Sequence, residues 1–460
     1  MRITVIGTGH VGLVAGAGLA DFGHCVTCVD KDLSKVDMLR RGEMPIFEPG
    51  LPELVQHNVA VGRLAFSTDI EATLRRSTVV FIAVGTEGLP NGAVDLQAVN
   101  EVAGQLAATM ELHTIIVVKS TVPVGTAASI TRLIRASSKR RIPFDVVSNP
   151  EFQREGSAVQ DFMRPDRIVI GATSPKAVGI IREIYAPLLS AGRPLVVTSN
   201  ETAEMIKYAA NAFLASKISF INEIANLCDH LNCDVQAVAE ALGLDPRIGP
   251  KFLQPGPGFG GSCFPKDSRA LLRLANECGV EMYLVEAAVR VNEAQPRKVV
   301  EKVLRQLGSM AGRKIAVLGL AYKPNTDDVR GSPAIDICQL LLKEGARLRV
   351  YDPEAISNSR QVLGNSEVEF CSNPYEAAQQ ADCLLVLTEW DEFRNLNLKG
   401  LRSCLRGRSM IDARNVIDPQ AAANAGFLYE GMGRAAFSHP KPPRGISDTL
   451  VPPFEEAETL

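Results

Sequence analysis

One thiol in this chain stands where a nucleophile would be useful. The segment Gly256-Pro-Gly-Phe-Gly-Gly-Ser-Cys263-Phe-Pro-Lys-Asp267 crowds glycines on one side of Cys263 and places a cation and an anion just beyond it. Glycines let backbone approach a ligand closely, and a thiol among cations and free N–H groups can be held as thiolate. A buried thiol in a glycine-rich turn is the plainer alternative. A second constellation opens the chain. Met1-Arg-Ile-Thr-Val-Ile-Gly7 is a short apolar strand that runs into Gly7-Thr-Gly9-His-Val-Gly12, a small-residue helix pattern and a second strand, Cys25–Val29, ending at Asp30. Strand, GxGxxG, helix, strand and acid in that order predict a dinucleotide-binding unit. Gly7 allows the tight turn, Gly9 leaves room for a pyrophosphate, and Gly12 lets the helix pack on the strand. The phosphates then meet free N–H groups at a helix N-terminus. Asp30 would accept from the ribose hydroxyls of NAD and repel the 2′-phosphate of NADP, with Lys31 and Lys35 acting against that discrimination.

The elements that must hold these groups follow from periodicity. Strand-like runs at Val79–Val84, Thr114–Lys119, Phe144–Ser148 and Arg167–Gly171 alternate with helical stretches, which implies a doubly wound parallel sheet. From Asn200 the pattern becomes purely helical and runs from Glu204 to about Cys228 without Gly or Pro, longer than an ordinary globular helix. Another helix is expected over Ser268–Cys278. Arg313–Gly319 then repeats the opening strand and glycine, Arg347–Asp352 repeats strand and acid, and Asp382–Thr388 and Met410–Asp412 add strands. GxGxxG is missing there, so this half should bind a nucleotide other than NAD. The fold class expected is α/β: two Rossmann-like doubly wound parallel-sheet domains joined by a long central helix. The divisions are 1–199 for NAD, 200–305 for a central helical connector and dimerisation region carrying the cysteine loop, 306–437 for the second nucleotide, and a flexible, Pro-rich tail over 438–460.

Bulk properties exclude other classes. The chain has 460 residues, 49 Lys plus Arg against 52 Asp plus Glu, 46% hydrophobic and 22% charged residues. The balance, 49 − 52 = −3, gives no basic patch for nucleic acid. No apolar run is long enough to span a membrane. Ten scattered cysteines read as reduced thiols of a cytoplasmic protein. Cys25-Val-Thr-Cys28 lies in a strand whose side chains alternate, with no second ligand pair, so no metal site is expected.

In order along the chain, GTGHVGLVAGAGLADFGH, KSTVPVGT, SNPEFQREGSA, AANAFLASKISFINEIA, GFGGSCFPKD and GLAYKPNTDDVRGSP resemble the UDP-glucose/GDP-mannose dehydrogenase family, with matches from residue 1 to about 417. The resemblance implies a four-electron oxidation of a sugar C6 alcohol to a carboxylate with two NAD molecules in turn and UDP-glucose as substrate. GDP-mannose or another nucleotide sugar is the alternative substrate. A nucleotide-sugar binding protein is the non-enzymatic alternative, and it should lack one of Cys263, Lys207 or Asp267. It also implies that Cys263 carries a thiohemiacetal and then a thioester, and that Lys207 and Asn211 stabilise oxyanions. Asp267 would position a water or Lys207, Thr121 would help hold a water that accepts the alcohol proton, and Glu151 would assist hydrolysis. On the cofactor side the resemblance places Gly7, Gly9, Val11, Gly12, Asp30, Lys35, Thr86, Thr121, Glu155, Lys266 and Arg330. On the substrate side it places Glu151, Phe152, Arg154, Lys207, Asn211, Phe252, Leu253, Phe259 and Gly260, with Lys323 and Arg414 on the diphosphate. Arg247 would reach the substrate of a neighbouring subunit, implying a homodimer or higher homo-oligomer. One departure stands out: the family usually has Pro after Val-Gly-Thr, where this chain has Glu87.

Overall fold

The computed structural model describes residues 1–364 and 366–434, so the tail expected over 438–460 lies outside the described residues. The first sheet holds β1 (Arg2–Ile6), β2 (Cys25–Val29), β3 (Leu64–Ser67), β4 (Val79–Ile82), β5 (Thr114–Val118), β6 (Phe144–Ser148), β7 (Ile168–Gly171) and β8 (Leu195–Thr198). Their order is β3-β2-β1-β4-β5-β6-β7-β8. Every residue of β4 and β5 is buried, because helices cover both faces of the sheet. On β2, Cys25 is exposed and Cys28 buried, so the two thiols face opposite ways as strand alternation requires. One feature differs from a wholly parallel sheet. β7 meets β6 antiparallel at Ser148↔Gly171, and β8 follows β7 parallel. A parallel crossover must carry the chain back to the strand's starting end. The 149–167 segment instead spends much of its length lining a cleft.

The second sheet holds β9 (Lys314–Leu318), β10 (Arg347–Tyr351), β11 (Val368–Phe370), β12 (Cys383–Val386), β13 (Ser409–Asp412) and β14 (Leu428–Gly431), all parallel in the order β11-β10-β9-β12-β13-β14. No helix among the described residues is long and apolar enough to cross a membrane.

Between the sheets runs a helix of 32 residues, Asn200–Leu231, about 48 Å long at the usual rise. Ser199 caps its start, accepting from the Thr202 N–H at 3.2 Å. Asn232 ends it in the left-handed conformation at φ 59°. Its buried positions Ala203, Lys207, Tyr208, Asn211, Ala212, Ala215 and Ser219 recur at three- and four-residue steps, one face of a helix. A second long helix, Tyr283–Leu307, packs along it. Pro296 inside this helix hides it from the pattern, and the buried Gln295 beside the proline donates to the Gly256 carbonyl at 3.1 Å.

The far end of the long helix is tied to the second sheet by a buried charge cluster. Lys302 Nζ lies 2.6 Å from Asp229 and 3.2 Å from Glu430, and the Gly433 N–H donates to Asp229 at 3.0 Å. Removing one partner of a buried pair strands the other. Lys302→Met should therefore cost about 3–5 kcal/mol, read as a lowered urea midpoint. An unchanged midpoint would show that Arg305 alone satisfies Glu430.

Candidate active site

At the first β-turn-α unit the residues fit a dinucleotide. Gly7 sits at φ +104°, and a Cβ there would lie 2.4 Å from the Ala83 carbonyl oxygen. A Cβ on Gly12 would come within 2.0 Å of the Gly7 carbonyl oxygen, whereas one on Gly9 would meet nothing within 4 Å. Gly9 thus faces open space where a pyrophosphate could approach. The helix His10–Asp21 begins there without a side-chain cap, leaving its first N–H groups for an anion. Asp30 ends β2 with Oδ2 accepting from the Thr8 N–H (2.8 Å) and hydroxyl (2.7 Å) and Oδ1 from the Asp32 N–H (3.1 Å). A carboxylate offers about four acceptor positions, so a ribose hydroxyl still has a place. Val11 and Lys35 are half-buried nearby in the chain, and Thr86 is anchored by donating to the Thr121 carbonyl at 2.9 Å. In the second sheet the equivalent turn is closed by the chain itself. Asp352 accepts from the Leu320 and Ala321 N–H groups at 2.7 and 3.0 Å and from Trp390 Nε1 at 3.2 Å.

A cleft of about 570 Å³ lies between the 149–168 segment, the long helix and residues 251–264. Two residues of the long helix, four apart and so on one face, line it together. Lys207 Nζ donates to Glu151 at 3.0 Å, and Asn211 Nδ2 donates to Asp267 at 2.7 Å, all four side chains buried. Lys266 contacts the other oxygen of Asp267 at 2.6 Å. Burial works against the Lys207 ammonium, but Glu151, with Cys263 and Asp267, more than offsets it and holds its pKa above the ordinary lysine value.

Cys263 precedes the helix Phe264–Glu277 and points its thiol into this cleft, with Ser262 Oγ 3.6 Å from Sγ. Burial pushes the thiol up to about 11; Lys207 pulls it down, while Glu151 and Asp267 push it further up. Lys207, the cation that pulls it down, is itself paired with Glu151, and burial leaves the thiol form favoured.

The remaining expected residues divide between cleft and domain seam. Phe152 lines the cleft beneath Arg167, whose guanidinium lies 3.6 Å from the ring centre. Arg154 is exposed on the rim and paired with Asp161 at 2.7 Å. Phe252 lines the cleft at φ 65° and packs on Phe264. Leu253 turns away into the apolar cluster of Ile221, Ala225 and Val235. The glycines before Cys263 also serve a purpose other than the one expected. A Cβ on Gly260 would lie 2.2 Å from the Gly331 carbonyl oxygen, and one on Gly261 2.7 Å from the Tyr322 ring, so these glycines make room for the second domain. Phe259 is buried in the same loop and packs edge-on against Phe264.

At this seam Glu155 accepts from Ser262 Oγ at 3.3 Å and lies 3.6 Å from Arg330, which is bound to Asp328 at 2.8 Å and reaches Glu87 at 3.6 Å. Glu87, the departure from the family pattern, therefore faces a cation of the second domain. Lys323 lies over the Tyr322 ring at 5.3 Å, and Arg414 donates to the Tyr322 carbonyl at 3.1 Å and pairs with Glu389 at 3.0 Å. Arg247 is not brought to the cleft; it is 87% exposed and paired with Asp245. Sequence reading missed Lys119, buried in the cleft wall, although KSTVPVGT contains it.

A dinucleotide crevice on the first sheet, with a cysteine cleft beside the long helix, fits an NAD-dependent oxidoreductase. The family's NAD binding domain matches residues 1–189, its central domain residues 201–294 and its UDP binding domain residues 316–419, and the chain belongs to the UDP-glucose/GDP-mannose dehydrogenase family. It is 49% identical to UDP-glucose 6-dehydrogenase of Rhizobium meliloti (strain 1021), covering 94% of this chain and 100% of that one. It is 47% identical to the UDP-glucose 6-dehydrogenase TuaD of Bacillus subtilis (strain 168), covering 99% and 97%. A UDP-glucose dehydrogenase structure from Pyrobaculum islandicum superposes with a TM-score of 0.88 at 40% identity, over 94% of this chain and 98% of that one.

Because the resting group is a thiol, alkylation of Cys263 by iodoacetamide in the free protein should keep accelerating up to pH 10, followed by peptide mass. A plateau below pH 8 would contradict the assignment.

Proposed function

We propose that this enzyme oxidises the C6 alcohol of UDP-glucose to the carboxylate of UDP-glucuronate. The observation that carries the reading is the convergence of Cys263, Lys207–Glu151 and Asn211–Asp267 where the first domain, the long helix and the cysteine loop meet. The names of the relatives above support the same substrate. Bound NAD supplies a two-electron hydride acceptor, so a four-electron oxidation consumes two. The chain's own part is to hold the aldehyde between them. Cys263 Sγ adds to the aldehyde carbon, its proton passing to the carbonyl oxygen, and the thiohemiacetal cannot diffuse away. Lys207 and Asn211 donate to that oxygen while it carries negative charge. Oxidation of the adduct leaves a thioester; water attacks it, Glu151 receives the water's proton, and the C–S bond breaks to return the thiol.

Asp267 orients Asn211 and Lys266, and Thr121 holds a water near the alcohol. Glu155, Lys266 and Arg330 face the cofactor side. Lys323 and Arg414 suit a diphosphate. Ten free cysteines fit a reducing compartment, which we read as the cytoplasm. Phe213, Phe220 and Leu227 are exposed at seven-residue steps on the long helix, with Leu231 following. A second copy of the chain covers this stripe in our reading, and Arg247 at the nearby helix end reaches the partner's site.

Purified protein with NAD and a panel of nucleotide sugars should release two NADH per uronate, with UDP-glucose favoured over GDP-mannose by at least about tenfold in kcat/KM. Cys263→Ala should make no acid yet bind NAD, and Glu151→Gln should stall with the substrate's mass on the protein. Acid release by Cys263→Ala would sink the covalent route. Phe220→Asp should shift the light-scattering mass from a dimer toward a monomer; an unchanged mass would move the interface elsewhere.

A further inference from the structure

Two lysines are buried in the cleft, and one of them has no carboxylate. Lys207 has Glu151 at 3.0 Å. Lys119, 4% exposed just past β5, donates instead to the neutral Oδ1 of Asn149 at 3.3 Å, and among the described residues it forms no ion pair within 4.0 Å. Asn149 is locked in that orientation: Tyr185 Oη donates to the same oxygen at 2.7 Å, and the amide nitrogen donates to the Val169 carbonyl at 2.8 Å. The Phe162 ring lies 6.0 Å from the ammonium on another side.

The charged groups around Lys119 come from every wall. Glu151 from the segment after β6 and Lys207 from the long helix act on it directly, while Arg154, Asp161, Arg164, Asp166, Arg167, Lys217, Lys251 and the Cys263 thiol line the same cleft. Inside the cleft Glu151 cancels Lys207 and Asp267 cancels Lys266, and on the rim Arg154 pairs with Asp161. Of the two lysines buried in the cleft, Lys119 is the one that forms no ion pair within 4.0 Å among the described residues. A buried ion without a partner is costly unless a ligand brings the opposite charge.

We propose that Lys119 is the electrostatic counter-ion for the anion formed in the cleft, holding a carboxylate product, and the oxyanion that precedes it, more tightly than the neutral alcohol. This rests on the reading above, in which an uncharged alcohol enters and a carboxylate leaves. The charge state agrees with a role near neutral pH. Burial pulls the Lys119 pKa down to about 8, Glu151 opposes the fall and Lys207 adds to it. The ammonium is present below that value and lost above it, so the preference for the carboxylate weakens as pH rises past 8.

The test is calorimetric binding of UDP-glucuronate and UDP-glucose at pH 6.5 and pH 9 to wild type, Lys119→Met and Lys119→Arg. One unit charge several ångströms away at an effective dielectric near 20 makes a difference of at least about tenfold. Lys119→Met should lose about that factor in product-over-substrate affinity. Lys119→Arg should keep the preference at both pH values, while wild type loses it at pH 9. A Lys119→Met protein with the wild-type ratio, or a wild-type ratio flat between the two pH values, would overturn the inference. Wild type that binds neither nucleotide sugar would instead overturn the substrate reading itself.

Discussion

Two buried polar pairs on one face of one helix hold this site together. Lys207–Glu151 joins the long helix to the segment after β6, and Asn211–Asp267 joins it to the helix that follows Cys263. Ions are expensive to bury and are retained where their partners are fixed. Here the fixing elements come from three parts of the chain, so the cleft exists only when all three are docked. The same long helix ends in the Lys302–Asp229–Glu430 cluster, which seats the second sheet. One rigid rod therefore sets the spacing between the cofactor crevice, the thiol and the second domain.

The pairs also decide the chemistry available at rest. Burial pushes the Cys263 thiol up to about 11, and the one cation that lowers it, Lys207, is matched by Glu151, which raises it. In the proposed reaction the thiol proton is needed by the aldehyde oxygen, and a protonated thiol delivers both partners of the addition. The glycines before Cys263 contribute by absence of side chain. They let the loop fit closely against Gly331 and Tyr322 of the second domain. Glu87 adds a contact from the other side by facing Arg330.

Local signals in the sequence were enough for the first β-turn-α unit, the long helix and the Cys263 loop, because each carries its own periodicity or glycine spacing. The short edge strands β3, β8, β11 and β14 were not read: each is partly exposed, whereas the equally short β4, β7, β12 and β13 are buried throughout. Tyr283–Leu307 was hidden by Pro296. Within the site, the pairing of Lys207 with Glu151 and of Asn211 with Asp267 spans 56 residues in each case and is a property of docking rather than of any motif. Leu253 shows the converse, a motif residue whose side chain the fold turns into the core. Lys119 lies inside a recognised motif, but its isolation from any carboxylate is visible only in three dimensions.

The two helix-borne pairs act as coupled units. A double-mutant cycle on kcat/KM with Asn211→Ala, Asp267→Ala and the double variant addresses this coupling directly. Coupled residues should show strong non-additivity, the double variant losing little more than the worse single one. Losses that simply multiply would mean that Asn211 and Asp267 work independently and that their contact does not organise the site.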